Sequence, residues 1–251
     1  MRKAGVTSKA PNLNAADARY KVGAEIVGPI TPTPVRQKRS AETQQKMLDV
    51  AEYLFAKWGY AAVSIRDVTA LAEVRVANVS YYFGSKQNLY FEVLRRRSEP
   101  LAQMRLDRIR AARAQSNASS ETRLRRLVAG YADPPLELSM SGDTGWKNFF
   151  SLISQVTFSG LAPPEISDLF NGPAREFMAG LRELYPQAAE TSVQAAAMLI
   201  IGPYIVVISE PGRIETFSEN AYSSGDLELL GPMMKDFIVG GIQGMLGRLG
   251  D

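Results

Sequence analysis

From Ser40 onward the apolar residues of this chain recur at helical spacing, and no segment sustains the period-2 alternation of a half-buried strand. That pattern leaves an all-α fold. Met47, Leu48, Ala51, Leu54, Phe55 and Trp58 fall at i, i+1, i+4, i+7, i+8 and i+11, one face of an amphipathic helix. Gly59 stands where a helix C′ glycine belongs, and Tyr60-Ala61-Ala62-Val63 is a connector. Ser64 reads as an N-cap, paired with Asp67 in a capping-box-like arrangement. Ile65, Val68 and Leu71 mark a two-turn helix, and Ala72-Glu73-Val74 a tight turn. Val76, Val79 and Phe83 form the expected inward side of a second short helix, which Gly84 ends. Ser85 caps a fourth helix with Leu89, Tyr90, Val93 and Leu94 inward, and Pro100 marks its boundary. Further helices are expected near 101–116, 120–132, 144–159, 164–185, 187–209 and 226–249. Pro134-Pro135, Pro163-Pro164, Pro186 and the polar run 215–226 punctuate them.

Composition removes much of the chemistry such a bundle could host. The 251 residues include no Cys, so disulfides, thiolate metal sites and cysteine nucleophiles are excluded. They also include no His, which removes the commonest general base and the commonest metal ligand. An enzyme would have to run on Lys, Tyr, Ser or carboxylates. Neither a G-x-G-x-x-G nor a G-x-x-x-x-G-K-[ST] run is present, since GGIQGMLG near the C-terminus misses the required spacing. The expectation is a non-enzyme with no cofactor and no metal.

Charge is divided unevenly. Residues 1–39 carry eight Lys/Arg and two Asp/Glu, and residues 40–97 carry eight and six. Residues 98–251 carry thirteen and eighteen, so a basic N-terminal part precedes an acidic remainder. Such a split points to a polyanion as the partner of the basic part. Residues 1–39, with four prolines between Pro11 and Pro34, read as a disordered basic tail ending in Arg36, Lys38 and Arg39. The N-terminus has no apolar signal-peptide core. Thr191 to Ser209 is free of charge, but Gly202-Pro203 breaks it and no Lys/Arg cluster flanks it. It reads as a helix buried in a core or subunit interface rather than a membrane span, and the expected location is the cytoplasm.

The stretch 64–83, a two-turn helix, a three-residue turn and a second short helix, has the helix-turn-helix layout. The face of the second helix opposite its apolar side offers Arg75, Asn78, Ser80, Tyr81 and Tyr82, short polar or planar groups of the kind that read a major groove. The bland alternative is that any short amphipathic helix has a polar face.

Spaced residues decide between these. Ala51, Leu54, Phe55, Gly59 and Tyr60 form an A-x-x-L-F-x-x-x-G-Y run. Ser64 and Ile65 open the next helix, and Tyr81 to Lys86 spell Y-Y-F-G-S-K before Leu89. Over about fifty residues this resembles the DNA-binding domain of TetR-family transcriptional regulators. The resemblance implies a helix-turn-helix domain at 40–97 and a helical effector-binding and dimerisation domain at 98–251. Two positions depart from the pattern. Glu73 stands where the family usually has Gly, and Arg75 where it usually has a small hydroxyl residue.

Residue by residue, Arg75 is the candidate base or phosphate contact, and Asn78 and Ser80 are candidate base-edge readers. Tyr81 and Tyr82 are candidate phosphate donors, unless one of them packs on the fourth helix. Lys86, Ser64 and Arg66 open helices and suit phosphates, with Tyr60 a weaker candidate. Arg36, Lys38 and Arg39 either enter a minor groove or form a solvated linker. One such motif reads only a few base pairs, so a homodimer on a near-palindromic double-stranded operator is expected. The resemblance puts its interface on the last two long helices, where Gly240, Gly241, Gly244 and Gly247 allow close approach. It also implies an effector pocket. Trp146, Phe149, Phe150, Ile153, Phe158 and Phe177 are its candidate lining, and ordinary core is the competing reading. No charge cluster in 140–205 identifies the ligand, so an apolar or amphipathic small molecule is expected. The favoured function is a dimeric DNA-binding repressor released by that effector. A helical adaptor without DNA binding is the alternative, and a His-free enzyme a third.

Overall fold

A computed structural model describes residues 34–115, 117–159, 164–209 and 212–247, with the backbone alone described for 34–37, 158 and 159. Residues 1–33 and the side chains of Arg36 and Phe158 therefore lie outside the described residues. Among the described residues the regular structure is helical. The helices are α1 (Pro34–Ala62), α2 (Ile65–Leu71), α3 (Val76–Tyr82), α4 (Lys86–Ala114), α5 (Ser120–Met140), α6 (Thr144–Ser159), α7 (Pro164–Leu184), α8 (Glu190–Leu199), α9 (Ile201–Ile208), α10 (Arg213–Phe217) and α11 (Leu227–Leu246). They form two compact units, divided in sequence between Tyr90 and Phe91.

In the first unit α1 starts at Pro34, so Lys38 and Arg39, expected in a tail, lie on a helix. Proline fits a first helical turn, because its missing N–H has no partner to lose there. Gly59 takes φ 76°, ending the main run of α1 where the sequence places a stop. Met47, Leu48, Ala51, Leu54 and Phe55 are buried as expected. Trp58 is not: it is 43% exposed, with the Lys57 ammonium 5.3 Å from its ring centre. α2 packs on α1 and α3 on α2.

The second unit departs from the expected boundaries at its prolines. α4 runs through Pro100, and α5 through Pro134 and Pro135. An interior proline costs about 3 kcal/mol through a lost hydrogen bond and a ring clash. Burying one large apolar side chain returns roughly 1.5–3 kcal/mol. Leu101 and Ile109 follow Pro100, and Leu127, Val128, Tyr131 and Leu136 flank the α5 pair, all buried. Packing beside each of these prolines thus holds the helix together. At Pro203 the helix gives way although Ile200, Tyr204 and Ile205 beside it are buried. The expected 187–209 helix is two, α8 and α9, parted at Ile200, because Pro203 has no N–H for the Leu199 carbonyl. α10 falls partly within the polar run 215–226, where the sequence predicts irregular chain.

Gly130 sets the approach of α5 to α4, since a Cβ there would lie 3.1 Å from the backbone of Arg108 and Ile109. Charged pairs tie α4 to α5 and to the turn that follows it. Arg108 donates from both Nη atoms to the Glu137 carboxylate at 2.6 and 2.7 Å, and Arg97 donates to Asp143 at 2.6 Å.

Across the bend at Pro186, Arg182 Nε and Nη2 donate to Glu190 at 2.9 and 2.6 Å. The Arg182 guanidinium, with help from Gln194, holds the Glu190 carboxyl at a pKa of about 2 against an ordinary 4.5. A carboxyl whose folded pKa is depressed stabilises the fold above its unfolded pKa and loses that contribution as pH falls. The expected result is a wild-type stability that drops between about pH 4.5 and 2 more than that of Glu190→Gln. Parallel acid titrations of the two proteins by circular dichroism would disprove it if the curves keep a constant offset.

Candidate nucleic-acid interface

The candidate interface is built on the first unit's caps. Asp67 N–H donates to Ser64 Oγ at 3.2 Å, while Ser64 N–H and Oγ–H donate to Asp67 Oδ2 at 2.8 and 2.7 Å. Ser64 is therefore exposed but committed to the cap, and its role is to start α2 in a fixed direction. Arg66, in the first turn of α2, is exposed. The turn to α3 contains Glu73 at φ 54°, so the position where the family usually has Gly does require a left-handed backbone. The Glu73 carboxylate accepts from Lys46 Nζ at 3.0 Å. The left-handed conformation costs an L-residue about 1–2 kcal/mol, and an exposed ion pair returns at most about 1 kcal/mol. A β-branched side chain there would add strain and lose the pair. Glu73→Val should therefore lower the thermal midpoint by several degrees while Glu73→Gly stays near wild type. Equal midpoints for the two variants would show that the turn is not strained.

Val79 and Phe83 hold α3 against the unit, both buried, but Val76 does not join them. Val76 is 50% exposed, on the outer side with Arg75, Ser80 and Tyr81. A two-turn helix has too few positions to fix its apolar stripe from spacing alone. Arg75 sits at the N-cap of α3 with an extended backbone (φ −75°, ψ 144°), and its side chain makes no cap hydrogen bond. It is exposed, as is Ser80, while Asn78 is half-buried. Tyr81 is 80% exposed, and its ring meets Tyr82 edge-on at 4.9 Å. Tyr82 is half-buried, its hydroxyl 2.9 Å from Ser40 Oγ on α1. One tyrosine of the pair therefore does turn inward, with its hydroxyl on the first helix.

Lys86 and Tyr60 form a separate small assembly. Lys86 Nζ donates to the Tyr60 carbonyl at 2.6 Å and lies 4.2 Å from the Tyr60 ring centre. Desolvation there lowers the Lys86 pKa, against a smaller upward pull from Asp67. The Tyr60 ring rests on Tyr90 at 4.7 Å and Phe55 at 5.9 Å. Both residues are thus held in place by the fold, with one ammonium hydrogen bond already spent on the protein.

A family model described as bacterial regulatory proteins of the tetR family matches residues 47–93. A second, described as the tetracyclin repressor-like C-terminal domain, matches residues 129–241. The chain belongs to the TetR family of transcriptional regulators. This TetR-family chain is 32% identical over 101 residues to the HTH-type transcriptional repressor NicS of Pseudomonas putida, covering 39% of this chain and 43% of that protein. It is 39% identical over 51 residues to the HTH-type transcriptional regulator QacR of Staphylococcus aureus, covering 20% and 27%. The chain thus spans less than half the length of either curated relative. Among solved structures it shares its fold with SmeT in complex with triclosan (TM-score 0.53, 17% identity, covering 80% of this chain and 91% of that one). PfmR of Thermus thermophilus is similar at TM-score 0.50 and 17% identity, covering 77% and 97%.

The expected effector-pocket residues divide into two groups. Trp146 stacks on Phe150 at 5.9 Å and meets Phe149 edge-on at 5.8 Å, a closed cluster on α6. Ile153 is buried on the same helix. Phe177, on α7, belongs elsewhere, 5.5 Å from the Tyr131 ring. These five side chains are buried. Sequence reasoning misses the charged residue beside Tyr131. Arg105 precedes the 140–205 stretch in which the pocket is expected, and nothing in its local sequence marks it as buried.

Proposed function

We propose that this TetR-family protein is a cytoplasmic, dimeric, DNA-binding repressor that leaves a near-palindromic operator when a small effector enters its second unit. The observation that carries the reading is the outer face of α3. Arg75, Val76, Ser80 and Tyr81 stand exposed on a helix anchored by Val79 and Phe83. An α-helix fits the major groove, where Arg pairs with guanine, Ser reaches either base edge and an apolar side chain meets the thymine methyl. Val76, expected inward, joins the candidate readers on this ground, while Asn78 is a weaker one than the sequence suggested. Ser64 and Tyr82 orient the helices, and Arg66, Lys86 and Tyr81 are the candidates for phosphates. Lys38 and Arg39 are exposed on α1 and add positive charge to the same unit.

Dimerisation is supported by the last helices. Within Glu190–Ile208 the most apolar 18-residue window has a mean hydropathy of 1.9, yet only 39% of that window is buried within the chain. By length and composition it could cross a membrane, but α8 and α9 are parted at Ile200 and pack on α11. Leu199, Ile200, Pro203, Phe237, Ile238 and Met245 line an open apolar groove between them. A Cβ added at Gly240, Gly241 or Gly244 meets nothing within 4 Å, so these glycines leave open space along α11. A second copy covering α8, α9 and α11 would bury this surface on both subunits.

Fluorescence anisotropy with a duplex from the protein's own upstream region tests the reading. A dimer neutralising about six phosphates should lose about a thousandfold in affinity between 50 and 200 mM salt. A flat response would favour an adaptor that meets another protein.

A further inference from the structure

We propose that Arg105 is the anchor for a carboxylate on the effector, whose apolar body lies among Tyr131, Tyr204 and Phe177. The proposal rests on the effector-responsive reading above and specifies the chemistry of that site. Arg105 is on α4, and at 0% exposure it is the largest fully buried side chain described. Its Nε donates to the Tyr131 carbonyl at 2.9 Å. Its Nη1 and Nη2 have no hydrogen-bond partner among the described residues. The guanidinium lies 4.2 Å from the Tyr131 ring centre and 4.7 Å from that of Tyr204.

A guanidinium stays charged in any protein environment. Burying it without an anion is costly, and ring faces and one carbonyl offset only part of that. Nor can the neighbouring phenol supply the anion. Burial pushes the Tyr131 hydroxyl up to about 12, so it remains protonated and can itself donate to a ligand. What is left is a planar fork with two free donor atoms in an aromatic setting. That fork matches the two oxygens of a carboxylate in bidentate geometry. The aromatic rings around it suit an aryl or alkyl body, with Phe177 5.5 Å and Tyr204 5.8 Å from Tyr131. A neutral apolar molecule would leave the charge uncompensated, so the site discriminates by charge first and shape second.

Calorimetric titration of the full chain with phenylacetate and decanoate, against phenylacetamide and decanol, tests this. The carboxylates should bind at least tenfold more tightly than their neutral counterparts. In Arg105→Met that preference should vanish, while the unliganded protein melts at or above the wild-type temperature, because an uncompensated charge has been removed. Arg105→Lys, which keeps the charge and loses the fork, should retain a preference reduced about tenfold. Wild-type protein that shows no preference for any carboxylate overturns the proposal whether or not Arg105→Met folds. A markedly lower melting temperature of Arg105→Met overturns it too, by making the arginine a structural residue. Carboxylate binding that leaves the duplex complex intact would uphold the Arg105 site and remove effector release instead.

Discussion

Phe237→Arg should separate the dimer and reduce operator affinity by at least about a thousandfold. Phe237 is 70% exposed on α11 and lines the apolar groove against α8 and α9. In a two-fold interface the substitution places one new cation on each subunit, both in an apolar setting. The effective penalty for burying an unpaired ion is several kcal/mol, and it is incurred twice. The operator effect follows from symmetry. A specific complex with a dissociation constant near 10⁻⁸ M is worth about 11 kcal/mol, and a monomer keeps only half of the contacts. Sedimentation velocity and duplex anisotropy on one preparation check both statements. If the variant remains a dimer at micromolar concentration, the interface lies elsewhere. If it becomes a monomer with wild-type operator affinity, dimerisation is irrelevant to recognition.

Arg75→Ala should weaken specific binding about 30-fold or more without changing the fold. A bidentate arginine–guanine pair contributes about 1–3 kcal/mol of discrimination, and the dimer presents the residue twice. Stability should not move, because the Arg75 side chain caps nothing and is exposed. The salt dependence separates the possible roles. Loss of a base contact changes affinity for the operator more than for an unrelated duplex. Loss of a phosphate contact weakens both alike and lowers the salt slope by about one per subunit. Operator affinity equal to wild type would take Arg75 out of the interface. A parallel Val76→Ala variant, expected to lose less, reports on the thymine-methyl contact.

Much of the first unit was legible because its signals are local. Ser64 and Asp67 are three residues apart, and the capping box between them forms as the spacing implies. Gly59 and Gly84 take positive φ where the sequence places helix ends. Glu73 does so as well, though no glycine marks it, and there the resemblance supplied what the residue type hid. Trp58 and Val76 were misplaced for the opposite reason. Periodicity gives the direction of a stripe, but a residue at the end of a helix or on a two-turn helix is buried only if a neighbour reaches it.

The sequence by itself determined the helical class, the helix-turn-helix layout and the family, because helix period, caps and turns depend on residues a few positions apart. Tertiary structure decided the rest. It carried α4 and α5 through their prolines and broke the α8–α9 stretch at Ile200, since a proline's cost is weighed against all the contacts its helix makes. It left the apolar faces of α8, α9 and α11 uncovered within one chain, which composition alone could only describe as an uncharged run. It also placed Arg105 between Tyr131 and Tyr204, residues distant along the chain. Whether an arginine is a solvated surface charge or a buried one depends on which helices close over it, and that is a property of the packed unit.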